Sequence, residues 1–188
     1  GKIFGDNSIK LVSPLANVGI AFKNNGEYDK AVESYLKAEK VLNESYSSDD
    51  PRLGYVYTNL GTVYKLKGDY LKNQEYQKAA LRVFSSDPKK YLEAIGIAEY
   101  NITETLYLLK QYTEAIQTSL ANVSRVDEDS KSYYYSLLAR VYSELGDVEM
   151  TKNYYQKTFD ILVQLKGEDS YDLGLEYSDY TSFLLSVG

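Results

Sequence analysis

Apolar and small residues recur along the chain at helical spacing, and the whole pattern then repeats. Tyr57, Leu60, Gly61 and Tyr64 stand at i, i+3, i+4 and i+7, which places them on one face of a helix. The same eight-residue pattern is found at Leu15–Phe22, Glu99–Leu106, Tyr135–Tyr142 and Tyr177–Leu184. A small residue anchors each copy: Gly19, Gly61, Thr103, Ala139 and Thr181, spaced by 42, 42, 36 and 42 residues. The first four copies continue alike, into Gly26–Ala31, Gly68–Asn73, Lys110–Ala115 and Gly146–Thr151. Such a register over five copies marks a tandem repeat.

Each repeat reads as two helices. Asp50-Pro51 opens the first helix of the second copy, Asp as cap and Pro in the first turn. Gly68 closes it, because glycine tolerates the left-handed backbone that follows a helix end. Asp69 caps the partner helix, and Asp87-Pro88 repeats the start signal for the third copy. Two or three residues separate the paired helices, so they fold back antiparallel. The small anchor lets the pair approach closely. The reading is all-α: a right-handed solenoid of antiparallel helix pairs, about four and a half repeats in one domain over 1–188. The repeats run over approximately 9–48, 51–87, 88–128 and 129–168, with a partial copy at 170–188.

Composition narrows the chemistry. The 188 residues contain no His, Cys or Trp, so Ser-His-Asp triads, thiol chemistry and Cys/His zinc sites are excluded. The formal net charge is −6, with no basic block, which argues against nucleic acid or an anionic membrane as partner. There is no phosphate-cradling glycine loop, and Asp127-Glu-Asp129-Ser130 lacks the glycine and final glutamate of a calcium loop. No enzyme activity and no cofactor are expected. The excess of tyrosine, 21 against 5 phenylalanines, has a structural explanation: Tyr28, Tyr57, Tyr64, Tyr70, Tyr112, Tyr135, Tyr142 and Tyr155 fill apolar slots of the repeat.

The pattern resembles the tetratricopeptide repeat family, whose signature is W-x2-L-G-x2-Y followed by A-x3-F. The first copy reads Leu15-x2-Val18-Gly19-x2-Phe22 and then Ala31-x3-Tyr35; the second reads Tyr57-x2-Leu60-Gly61-x2-Tyr64, but departs at Asn73 and Gln77. The third is weakest, with Glu99 and Ser119 in the two aromatic slots; the fourth has Tyr135, Leu138, Ala139, Tyr142, Thr151 and Tyr155. The 42-residue spacing resembles the longer-helix subclass of kinesin light chains, the eight extra residues adding about 12 Å of helix per repeat.

The resemblance implies a protein- or peptide-binding scaffold that uses a concave groove lined by the first helix of each pair. Two residues before the anchor stand Asn17, Asn59 and Asn101, then Leu137 and Asp179. A side-chain amide both donates and accepts, so an asparagine ladder can bond N–H and C=O of an extended peptide whatever its side chains. Peptide-binding members of the family use asparagines in this slot, and that role carries over to Asn17, Asn59 and Asn101. The competing reading is inherited consensus, since Asn-Leu-Gly is a common triplet in these repeats. Neighbouring slots add Thr58 and Arg140, and an aromatic wall of Tyr55, Tyr100, Tyr107 and Tyr133. Lys23 and Lys65 make the N-terminal half mildly basic, while Glu104, Glu144 and Asp179 make the other half acidic. The lysine and arginine positions of the clamp with which chaperone-binding members grip a C-terminal carboxylate are not matched.

Phe4–Ser8 aligns with Lys166–Ser170, so the chain opens inside an inter-repeat linker and closes at Gly188, where a partner helix should begin. A fragment of a longer protein is expected, with cytoplasmic location. Alternatives are a regulatory or sensor domain of a larger effector (kinase, caspase-like peptidase or transcription regulator), or a self-association module in which exposed solenoid ends form a homo-oligomer.

Overall fold

The structure, a computed structural model, describes residues 10–188. The register match at Phe4–Ser8 lies outside the described residues. Among these, nine α-helices follow one another: α1 Val12–Asn24, α2 Tyr28–Ser45, α3 Pro51–Leu66, α4 Tyr70–Phe84, α5 Leu92–Leu108, α6 Tyr112–Val123, α7 Glu128–Glu144, α8 Val148–Lys166 and α9 Tyr171–Val187. The expected all-α helix-pair plan is therefore present, with three-residue turns inside every pair.

Those turns share one closure. Glu27, Asp69, Gln111 and Asp147 donate their backbone N–H to the carbonyls of Phe22, Tyr64, Leu106 and Tyr142, at 2.8–3.0 Å. This six-to-one bond requires a left-handed residue just before the donor. Gly26, Gly68 and Gly146 supply it at φ of 77°, 78° and 75°, and Lys110 does so at 59°. Only the lysine carries a Cβ penalty there. Lys110→Gly is expected to stabilise the chain by about 0.5–1 kcal/mol, after the added freedom of the unfolded glycine is deducted. A urea midpoint that falls instead would contradict this.

Side chains of Asp50, Asp69, Asp127, Asp147 and Ser170 cap α3, α4, α7, α8 and α9 through backbone N–H groups at 2.8–3.4 Å. The start signal at Asp87-Pro88 is corrected. The carbonyl of Asp87 accepts from Lys90 N at 3.2 Å and Tyr91 N at 3.1 Å, which closes a single turn. The Tyr91 ring then packs on Phe84, centroids 5.6 Å apart, and α5 begins only at Leu92.

The chain divides into two compact units, one reaching Thr105 and the other starting at Leu106. In the first unit, Tyr35, Leu42, Leu53, Leu60 and Val63 are fully buried around Ala31 and Ala38. Helices pack closely at two glycines, the anchor Gly19 and, on α3, Gly54: a Cβ on Gly19 would lie 2.6 Å from the Tyr35 ring, and one on Gly54 2.6 Å from the Phe84 ring. In the second unit, Leu138, Ala139, Tyr154, Tyr155, Phe159, Leu162 and Leu173 form the main cluster, and Leu106, Ala115 and Val141 a smaller one. The tyrosines pack as the repeat requires. Tyr76 stacks on Tyr64 (5.5 Å) and touches Tyr57 (5.9 Å). Tyr154 meets Tyr142 and Tyr135 at the same two distances in the second unit.

At the second aromatic slot the repeats diverge. Tyr35 and Tyr155 fill it in the first and fourth copies, whereas Gln77 and Ser119 occupy it in the second and third. Gln77 and Asn73 are fully buried beneath Gly61. Gln77 Nε2 donates to the Thr58 carbonyl (3.3 Å) and to Asn73 Oδ1 (3.4 Å). Asn73 Nδ2 donates to Thr105 Oγ1 (2.6 Å), and that hydroxyl donates to the Asn101 carbonyl (2.6 Å). Thr105 occupies the slot that Val63 and Val141 hold elsewhere. A polar chain thus links α3, α4 and α5 inside the core of the first unit.

Candidate recognition face

In the first unit, Asn17, Asn59 and Asn101 stand on α1, α3 and α5, the first helices of three successive pairs. Asn17 is exposed; Asn59 and Asn101 are half-buried. Asn59 Nδ2 donates to the Tyr55 carbonyl one turn earlier (3.0 Å), which orients the amide and leaves Oδ1 as its acceptor. The polar chain beneath ends on the carbonyls of Thr58 and Asn101. It therefore holds the backbone beside Asn59 and at Asn101 in place. Packed helices lie about 8–10 Å apart, close to one turn of a polyproline II segment, about three residues at about 3.1 Å each. Amides on consecutive first helices match every third unit of an extended peptide in that conformation, where those units face the same side.

Around the asparagines, Tyr55 is 53% exposed and rests edge-on against Phe84, ring centroids 5.0 Å apart. Thr58 is half-buried, with its hydroxyl donated to the Gly54 carbonyl (3.0 Å). Tyr100 and Lys23 are half-buried. Lys65 Nζ lies 2.6 Å from Glu104 Oε2, on the neighbouring first helix, and both side chains are largely covered. The two neutralise each other, so they do not mark a basic and an acidic half as the sequence suggested. Their pairing joins α3 to α5 on this face.

In the second unit, Leu137 takes the asparagine slot and is fully buried, so the amide ladder ends there. The guanidinium of Arg140 lies 5.2 Å from the Tyr107 ring centroid, and Tyr107 packs on Tyr112 at 6.2 Å. Tyr133 is 46% exposed, with Lys166 Nζ 5.8 Å from its ring centre. The four expected wall tyrosines thus divide two and two: Tyr55 and Tyr100 in the first unit, Tyr107 and Tyr133 in the second.

Sequence reasoning missed a polar pair in the second unit. Ser136 Oγ lies 2.8 Å from both carboxylate oxygens of Glu176, linking α7 to α9. Burial raises the Glu176 carboxyl above the usual range; the Ser136 hydrogen bond and the Arg140 charge pull against it, while Asp179 and Asp172 add to it. Tyr133, Leu162, Leu175, Asp172 and Glu176 line a recess of about 120 Å³ there. The available signal was weak: Ser136 stands three before its anchor and Glu176 five before the next, slots that face each other only once consecutive first helices are laid side by side.

Among the described residues, no group of His, Cys, Asp and Glu is placed to hold a metal ion, and no helix is long and apolar enough to cross a membrane.

Comparison with known proteins bears on the fold. Tetratricopeptide repeat models match residues 10–86 and 132–161. The transcriptional activator NprA of Geobacillus stearothermophilus is 26% identical over 170 residues, 87% of this chain. The chain spans 40% of that relative's length. Among solved structures, BtubC (BKLC) from P. vanneervenii superimposes with a TM-score of 0.74 at 18% identity, over 96% of this chain and 74% of that one. A Podosopora anserina kinesin light chain protein of nearly identical TPR-like repeats gives 0.70 at 13% identity, over 92% and 84%. These likenesses establish the fold, an all-α helical repeat of the kinesin-light-chain kind.

Proposed function

We propose, from the premise that the chain belongs to the tetratricopeptide repeat family, that it is a binding module for an extended peptide segment of a protein partner. The observation that carries this reading is the placement of Asn17, Asn59 and Asn101 on three successive first helices, over a buried polar chain that fixes the backbone at two of them. Amides at that interval bond the peptide backbone, and Tyr55 and Tyr100 flank them with apolar surface that costs little entropy to order.

A second reading places the same face inside a regulatory protein, where peptide binding controls a fused domain. It is favoured by the likeness to a transcriptional activator of which this chain spans 40%.

The test is selection of peptides from a random display library on the wild-type chain, followed by affinities for Asn59→Ala and Asn101→Ala. Each amide lost from a desolvated contact should cost about 1–3 kcal/mol, or about ten- to a hundredfold in Kd. Selected peptides that bind both variants as well as wild type would remove the ladder from the site.

A further inference from the structure

The recess in the second unit has the chemistry of a cation pocket. Its walls come from Tyr133 on α7, Leu162 on α8 and Leu175 on α9, and its acids, Asp172 and Glu176, lie one turn apart on the same face of α9. A volume of about 120 Å³ is slightly below that of a cavity that admits benzene, enough for an unbranched chain of four or five heavy atoms. A neutral aliphatic guest would strip water from the carboxylates and return nothing, and an anion would be repelled. The guest that fits has an apolar stem and a cationic head.

The protein's own Lys166 already shows that the rim holds an ammonium group. Its Nζ lies 2.7 Å from Asp172 Oδ2 and 3.1 Å from Asp129 Oδ1, and 5.8 Å from the Tyr133 ring centre. Glu176 is served differently, by a serine hydroxyl and the field of Arg140. The carboxylates of Asp129, Asp172, Glu176 and Asp179 outnumber the cations Lys166 and Arg140 around the recess.

We infer that this recess is a site for one lysine side chain of a protein partner, its stem between Leu162 and Leu175 and its ammonium at Glu176. The inference goes beyond the peptide-binding reading and stands on the second unit alone.

The test is carboxyl and aromatic NMR of the chain titrated with the tripeptide Gly-Lys-Gly, and with the uncharged control in which norleucine, lysine's stem without the ammonium, replaces lysine. Saturable shifts at Tyr133 and Glu176 with the lysine peptide, absent with norleucine, are expected. The Glu176 carboxyl should titrate at lower pH when the lysine peptide is present. Glu176→Gln should weaken binding at least about tenfold, the loss of a charge-assisted contact. Tyr133→Leu, at a half-exposed position that folding tolerates, should weaken it severalfold. An equal response to norleucine, no response, or undiminished binding by the Glu176 variant would overturn the subsite. Asn59→Ala separates the two readings: a lysine response that survives while selected peptides still bind would refute the ladder and leave the recess standing.

Discussion

Tyr35→Ala is expected to cost the first unit about 3–5 kcal/mol, the range for truncating a fully buried aromatic ring. The ring is wholly inaccessible and lies where a Cβ on Gly19 would come within 2.6 Å of it, so α1 and α2 are fitted around it. The hydroxyl behaves oppositely. It is buried with no hydrogen-bond partner among the described residues, so Tyr35→Phe should be neutral or stabilising by about 1 kcal/mol. Burial also pushes the Tyr35 phenol up to about 12, and that of Tyr76 up to about 12. A phenol in the unfolded chain ionises near 10. Above that pH the unfolded chain sheds protons that the folded chain retains, so the contribution of these two phenols is level below pH 10 and is lost between pH 10 and 12. Urea midpoints at pH 9, 10, 11 and 12 read this directly. The fall should be shallower in Tyr35→Phe, and a level profile in the wild type would contradict the burial argument.

Gly61→Leu should be comparably destabilising, for a different reason. A Cβ there would lie 2.6 Å from Gln77 Nε2 and 3.0 Å from Asn73 Oδ1, both in fully buried side chains. Leucine must displace amides that have nowhere else to bond. Overpacking contributes about 1–3 kcal/mol and the unpaired amides a similar amount, so the expected loss is about 3–5 kcal/mol. Because the polar chain holds the backbone at Thr58 and Asn101, peptide binding should weaken along with stability. Gly96, on α5, is the control: nothing lies within 4 Å of its Cβ position. Gly96→Ala should stabilise by about 0.5–1 kcal/mol through helix propensity alone. Equal effects at the two glycines would show that close approach at Gly61 does not matter.

The repeat, its turns and its caps were legible because they depend on local spacing. Gly26, Gly68 and Gly146 stand where a left-handed residue is needed, and Asp50, Asp69 and Asp147 where a helix start needs an acceptor. The packing role of the tyrosines followed from the same register. What escaped depends on which helices become neighbours. Asn73 and Gln77 were visible as departures from the repeat, but their meaning needed Thr105, a threonine in a valine slot 32 residues after Asn73. Lys65–Glu104 and Ser136–Glu176 join residues 39 and 40 apart, on first helices of successive pairs. A helix face can be read from periodicity, but the partner facing it cannot. Asp87-Pro88 failed for a local reason: its turn closed at Tyr91 and did not propagate.

The ladder itself is tested most directly by backbone N-methylation of a display-selected peptide, with Kd measured by calorimetry on wild type and on Asn59→Ala/Asn101→Ala. Methylating a peptide nitrogen removes one hydrogen bond without changing a side chain. The account predicts losses of about tenfold or more at positions recurring every three residues, as a polyproline II segment requires, and the disappearance of those losses in the double variant. Affinity that tracks only the peptide side chains, indifferent to N-methylation and to the two asparagines, would contradict it.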